Sequence, residues 1–259
     1  MDVSENVVPA LLLTAVAGLS TGIGSAIAYF IRKPKVIYLS ISLGFSAGVM
    51  IYISFMELLA DAMETLGDFW ALIAFFVGII FIGLIDMLIP EAENPHEYKD
   101  LDDTSKQGTS DHLMRTGLLT ALAIGIHNFP EGLATFGTAL SDVKLGLFIA
   151  IAIAIHNIPE GISVSMPIFY ATGSRGKAFF YSFLSGVAEP LGAIVGYLIL
   201  MPFISESLIA YLLAFVAGIM VYISVDELLP MAHRYGHEHT VLAGIVAGMF
   251  VMAFGLLLL

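Results

Sequence analysis

Eight stretches of roughly 20 predominantly apolar residues follow one another along this chain, the length an α-helix needs to cross about 30 Å of hydrocarbon. They run over approximately Val8–Ile31, Val36–Ala60, Phe69–Pro90, Met114–Leu140, Leu145–Phe169, Ala178–Met201, Leu208–Leu229 and Val241–Leu259. The pattern predicts an all-α integral membrane protein of eight transmembrane helices in one domain. Composition agrees: 58% hydrophobic residues against 12% charged, with a mean hydropathy of +0.93, lies far outside the range of a soluble domain. With no cysteine in the chain, disulfides, thiolate metal sites and cysteine nucleophiles are all excluded. The opening MDVSENVVPA holds two acids and no base, so the first apolar run is expected to stay as a span rather than serve as a cleaved leader.

The basic residues orient the spans. Arg32, Lys33, Lys35, Lys99, Lys106, Arg115, Arg175, Lys177 and Arg234 all fall in the odd-numbered loops, and only Lys144 falls on the other side. Cytoplasmic loops collect Lys and Arg, so both termini are expected outside a plasma (bacterial inner) membrane. The longest connection, Glu91–Thr116, is polar, acidic and aperiodic, and reads as a mobile cytoplasmic loop, with no second domain hidden in it. The net charge of −12 lies mainly in loops and by itself says little about function.

Internal similarity is more informative. FSAGVMIYISFMELL (Phe45–Leu59, span two) matches FVAGIMVYISVDELL (Phe215–Leu229, span seven) at ten of fifteen positions. Five spans separate the copies, and an odd number of crossings reverses direction, so the repeat is inverted in the membrane. A second repeat joins the consecutive spans four and five: LAIGIHNFPEG (Leu122–Gly132) and IAIAIHNIPEG (Ile151–Gly161), 29 residues apart. The chain therefore parses as 3+2+3 spans with the outer triplets related by a pseudo-two-fold axis in the membrane plane. Secondary transporters with a polar site near the midplane are built this way.

On a helix, His127 and Glu131 share a face, with Asn128 about 100° round, and the same holds for His156, Glu160 and Asn157. Pro130 and Pro159 cannot donate their backbone bonds, which leaves the carbonyls of Ile126 and Ile155 free beside an expected kink. His127 and His156 each fall about a dozen residues into their spans, near the bilayer centre. Span six adds Glu189 at the same depth, on a stripe with Ser182, Ser185, Gly192 and Gly196 whose small side chains suit a helix-packing face.

Each carboxylate at that depth costs roughly 2.5–3.5 kcal/mol on insertion scales, so Glu131, Glu160 and Glu189 together cost about 8–10 kcal/mol if nothing compensates them. No Lys or Arg occupies the middle of any span, which leaves protonation or a bound cation. Imidazoles with carboxylates suit zinc and its first-row neighbours, whereas oxygen ligands alone would favour magnesium or calcium. One position would use His127, Glu131, His156 and Glu160. A second, richer in oxygen, would use Asn128, Asn157 and Glu189 with Glu131 and Glu160 bridging. A hydrogen bond between helices is the better explanation of one midspan histidine, but not of two matched His and Glu pairs with Glu189.

The hexads HNFPEG and HNIPEG resemble spans four and five of the ZIP family of divalent-metal transporters, and the likeness extends to the eight spans, to GVAEPLGA in span six and to SVDELLPMA in span seven. It is nearest the bacterial branch. The resemblance implies a two-metal midplane site on the residues just named, uptake toward the cytosol, a homodimer, and spans one, four, five and six moving against the rest. Members with a histidine-rich loop after span three are proposed to bind metal there, whereas this loop holds only His96 and His112.

Approach and exit routes are expected at the span ends. Glu57 and Asp61, toward the outer end of span two, with Glu64 and Asp68 in the following loop, would draw cations from solution. Asp86, Asp226, Glu227 and His233, at the inner ends of spans three and seven, would form a release station. His237, Glu238 and His239 are explained equally well by a solvated turn, and most of the twelve methionines, Met166 among them, by packing. The expected function is alternating-access transport of zinc, with Fe²⁺, Co²⁺, Mn²⁺ and Cd²⁺ sharing the same donor preferences, no enzymatic cofactor and no nucleic-acid partner. The competing class is an intramembrane zinc hydrolase, against which stand the absence of HExxH and the lack of an open coordination position.

Overall fold

Within the described residues every apolar run is helical. The computed structural model describes residues 5–30, 36–88, 110–200, 203, 205–235 and 238–258, with no strand among them. We number the spans α1 (Val7–Phe30), α2 (Val36–Ile53, continued by a π-helical turn Ser54–Leu58 into Leu59–Leu66), α3 (Asp68–Leu88) and α4 (Ser110–Ser141). Then follow α5 (Val143–Thr172), α6 (Arg175–Gly186, resumed over Ala188–Val195 and a π-helical turn Gly196–Leu200), α7 (Glu206–Ile223, a π-helical turn Ser224–Leu228, Leu229–Tyr235) and α8 (Glu238–Leu256). Seven of the eight are long and apolar enough to cross a membrane by length and composition. The eighth, α4, has 32 residues, about 48 Å of helix.

Three boundaries differ from the sequence reading. Helix α4 starts at Ser110, so the loop expected over 91–116 ends early. The rest of that loop and His96 lie outside the described residues, as does His237. Helix α2 runs to Leu66, so Glu64 is helical rather than in a loop, and Asp68 opens α3 after Gly67, whose φ of 77° reverses the chain. Helix α6 is interrupted at Val187 because Pro190 cannot donate to the carbonyl of Gly186. Helices α4 and α5 continue through Pro130 and Pro159.

Only Asp142 separates α4 from α5, and its carboxylate accepts the amides of Lys144 (2.7 Å) and Leu145 (3.2 Å), capping α5. So tight a turn forces antiparallel neighbours, and this is what inverts the two hexads. Helix α1 packs on α5 and α6 on α4, while α2 packs on α8 and α3 on α7. In α3 and α8 only 28% and 22% of the most apolar stretch is buried, so these two are peripheral and present their side chains to lipid.

The inverted repeat is legible in backbone contacts. A Cβ on Gly48 would strike the carbonyl of Ile245 and one on Gly218 that of Phe75; one on Gly78 would strike Phe215 and one on Gly248 Phe45. All four contacts map onto one another by a shift of 170 residues. Around the hexads the shift between α1 and α6 is 168: Gly24 meets the Ile158 carbonyl as Gly192 meets that of Phe129, Gly161 meets Thr21 as Gly132 meets Glu189, and Gly18 and Gly186 meet each other. Glycine is required at these positions because the helices touch backbone to backbone. Gly48→Ala and Gly218→Ala should each destabilise the protein by about 1–3 kcal/mol, read as thermal unfolding in detergent. Gly176→Ala, with nothing near its Cβ, should not.

Candidate metal centre

The hexads place their polar side chains between α4 and α5, in the middle of both. His127 lies 17 residues from the start of α4 and His156 lies 13 from the start of α5, about 26 and 20 Å along helices of about 45–48 Å. His127, Glu131, His156, Glu160 and Glu189 are all at most 1% exposed, and Asn128 and Asn157 are fully buried. Neither histidine faces lipid.

Pairing runs across the two helices. His127 Nε2 lies 3.2 Å from Glu160 Oε2, in hydrogen-bond geometry, and His156 Nε2 lies 3.3 Å from Glu131 Oε1 without the alignment of a hydrogen bond. Each imidazole thus faces the carboxylate of the other hexad, not the one four residues ahead on its own helix. The asparagines tie the centre to its flanks by the same symmetry. Asn128 Nδ2 donates to the Ser185 carbonyl of α6 (3.2 Å) and Asn157 Nδ2 to the Ala17 carbonyl of α1 (3.1 Å), partners 168 residues apart. With both amide nitrogens engaged, each Oδ1 is left as an acceptor. Asn157 Nδ2 also donates to Glu189 Oε1, which brings the carboxylate of α6 to the hexads.

What the protein does not supply is as informative. His127 Nδ1, both nitrogens of His156, both oxygens of Glu131, Glu189 Oε2 and the two asparagine Oδ1 atoms are buried without a hydrogen-bond partner among the described residues. Nearly all are lone-pair donors. Buried polar groups are normally satisfied, and a concentration of unsatisfied acceptors in one place calls for protons or a bound cation. Among the described residues no three imidazoles and carboxylates are gathered into a closed metal cage; they stand as pairs.

Other sequence-nominated residues divide. Glu227 is buried and its Oε2 stands 3.9 Å from His127 Nδ1, at the edge of the centre. A small cavity lined by Asp86, Ile126 and Glu227 joins it to α3, where Asp86 accepts from Tyr222 Oη at 3.4 Å. His233 is exposed, its Nδ1 2.7 Å from the Leu229 carbonyl of its own helix, and is not brought to that cavity. Asp226 is half-buried, Glu57 is half-buried in the π-helical turn of α2, and Asp61, Glu64, Asp68, Glu238 and His239 are exposed. Met166 is buried in packing. Ser46, which sequence reasoning missed, lies within 3.5 Å of both the His156 carbonyl and Glu160 Oε1. Its signal was available, because Ser46 stands opposite Val216 at one of the few places where the copies of the long repeat differ.

Fold and site together define a multi-pass, all-α membrane protein whose inverted halves enclose an imidazole–carboxylate centre. The sequence profile described as ZIP zinc transporter matches residues 88–255. Zinc transporter ZupT of Clostridium perfringens is 53% identical over 99% of this chain and 98% of its own length, that of Streptococcus mutans 53% over 98% and 99%, and that of Chlorobium phaeovibrioides 57% over 97% and 98%. The chain belongs to the ZIP zinc transporter family.

In the metal-free protein, a double-mutant cycle on His127→Ala and Glu160→Ala should show coupling of about 0.5–3 kcal/mol in unfolding free energy. The same cycle on His127 and Glu131, which share a helix without touching, should show much less.

Proposed function

We propose that this protein carries zinc into the cytosol by alternating access through a two-metal site at the membrane centre. The observation that carries the reading is the cluster of buried, unsatisfied acceptors on two inverted hexads, with no lysine or arginine in the middle of any span. Full-length relatives at 53–57% identity are named zinc transporters. Membership of a transport family removes the hydrolase alternative.

His127, Glu131, His156 and Glu160 are the first ligand set. The cross-helix pairs open to admit the ion, which then replaces the contact each imidazole makes with the opposing carboxylate. Asn128, Asn157 and Glu189 form the second set, with Glu131 and Glu160 bridging; the engaged amide nitrogens of both asparagines support this, because they leave the oxygens for the metal. Imidazole selects first-row ions, so Fe²⁺, Co²⁺, Mn²⁺ and Cd²⁺ compete with zinc to different degrees. Glu57 and Asp61 draw the ion in from outside, and Glu227 with Asp86 receives it on the cytosolic side, supported by the approach of Glu227 to His127 and by the cavity shared with Asp86. On this reading both termini are extracytoplasmic and the protein works as a homodimer in the plasma membrane.

Radioactive zinc uptake into proteoliposomes tests the reading. His127→Ala and Glu160→Ala should each lower uptake by at least about tenfold, and uptake by both variants at the parental rate would sink it. Flux with and without an imposed pH gradient separates proton-coupled from passive transport.

A further inference from the structure

The long inverted repeat carries a feature its residue identities do not announce. Met50, Ser54, Leu58 and Ala62 in α2, and their counterparts Met220, Ser224, Leu228 and Ala232 in α7, are all at most 1% exposed, each four residues from the next. A uniform α-helix turns about 1200° in twelve residues, about 120° beyond three full turns, and would carry the last alanine of each set away from the interior. The π-helical turns at Ser54–Leu58 and Ser224–Leu228 absorb that excess, because an i→i+5 turn takes up roughly one extra residue. The slip is explicit in the ladder: Leu59 N–H donates to the Ser54 carbonyl and Leu229 N–H to that of Ser224.

Each turn opens on a fully buried serine whose hydroxyl donates back to the carbonyl four residues earlier, Ser54 Oγ to Met50 and Ser224 Oγ to Met220, both at 2.7 Å. The Met220 carbonyl also receives the Ser224 amide. A hydroxyl competing for that carbonyl weakens and bends the α ladder at that residue, which is where the slip begins. Glu57 and Glu227 are the fourth residues of their turns, and Glu227 is the one that reaches His127.

We infer that Ser54 and Ser224 are positioning residues: their back-bonded hydroxyls hold the paired π-helical turns, which keep the far ends of α2 and α7 in register and set the direction in which Glu57 and Glu227 face. The consequence for transport rests on the proposed role of Glu227; the consequence for geometry does not.

Because the chain has no cysteine, single reporters Met231→Cys and Ala232→Cys can be read with a membrane-permeant maleimide in the full-length protein. Both positions are buried in the parent, at 4% and 0% exposure, and His233 beyond them is exposed. If Ser224→Ala returns the turn to α geometry, the following residues rotate by about 100°, so position 232 takes the exposed facing of 233 while 231 takes the buried facing of 232. The Ala232→Cys reporter should then label at least about tenfold faster on Ser224→Ala, with the Met231→Cys reporter unchanged. Ser224→Thr, which retains a hydroxyl able to back-bond, should keep the parental pattern. Zinc uptake should fall several-fold in Ser224→Ala and recover in Ser224→Thr. Acceleration at both reporters, meaning general loosening, or at neither, overturns the inference. A shifted labelling pattern with parental zinc flux upholds the positioning role and removes Glu227 from the transport route.

Discussion

Four carboxylates and two imidazoles buried together in a helical membrane protein, with no lysine or arginine in the middle of any span, are the condition the rest of the structure answers to. Hydrocarbon gives such groups no water, so each must find a partner in the protein or bind something that enters it. The protein's part of the answer is cross-pairing, His127 with Glu160 and His156 with Glu131, and that arrangement needs two helices running in opposite directions at the same depth. The one-residue turn at Asp142 supplies the direction. The bonds from Asn128 to α6 and from Asn157 to α1 fix the flanks, and glycines at the helix crossings bring the backbones close enough for those bonds to form. What remains unsatisfied is almost entirely lone-pair character, which fits a cation as cargo.

The scaffold is more symmetric than the site. Backbone contacts repeat at shifts of 170 and 168 residues through all six outer helices, yet Glu189 stands opposite Thr21, Ser46 opposite Val216, and buried Glu227 opposite half-buried Glu57. A symmetric framework can adopt two related packings of similar energy, because exchanging the halves preserves its helix contacts. The unequal side chains then give the two halves of the framework different chemistry.

Much of this was legible in the sequence because membrane proteins leave few choices. Runs of about 20 apolar residues must be helices; both repeats were visible as identities; and polar hexads a dozen residues into a span have nowhere to sit but the centre. The family followed from the hexads, and sequence comparison bears it out. Other features were not legible. A helical wheel puts His127 and Glu131 on one face, and the imidazole nevertheless faces Glu160, because contact across a tight helix pair outweighs proximity along one helix. The start of α4 at Ser110 was hidden in a polar stretch that composition reads as loop. Glu227 looked like a residue near the membrane surface when counted along a uniform helix, and it lies against His127.

The sequence by itself determined the class of protein, its succession of long apolar helices, the inverted relation of its halves and which polar side chains share one face of α4 and one of α5. Each of these depends on residue type and position along one helix, which hydrophobicity and periodicity encode directly. Tertiary structure alone decided which imidazole meets which carboxylate, which amide oxygens are left to accept, and where the ladders of α2 and α7 slip by one residue. Those outcomes depend on rotation about the helix axes and on contact between segments far apart in the chain, where an error of a single residue turns a side chain by about 100° and moves it from the centre to the lipid.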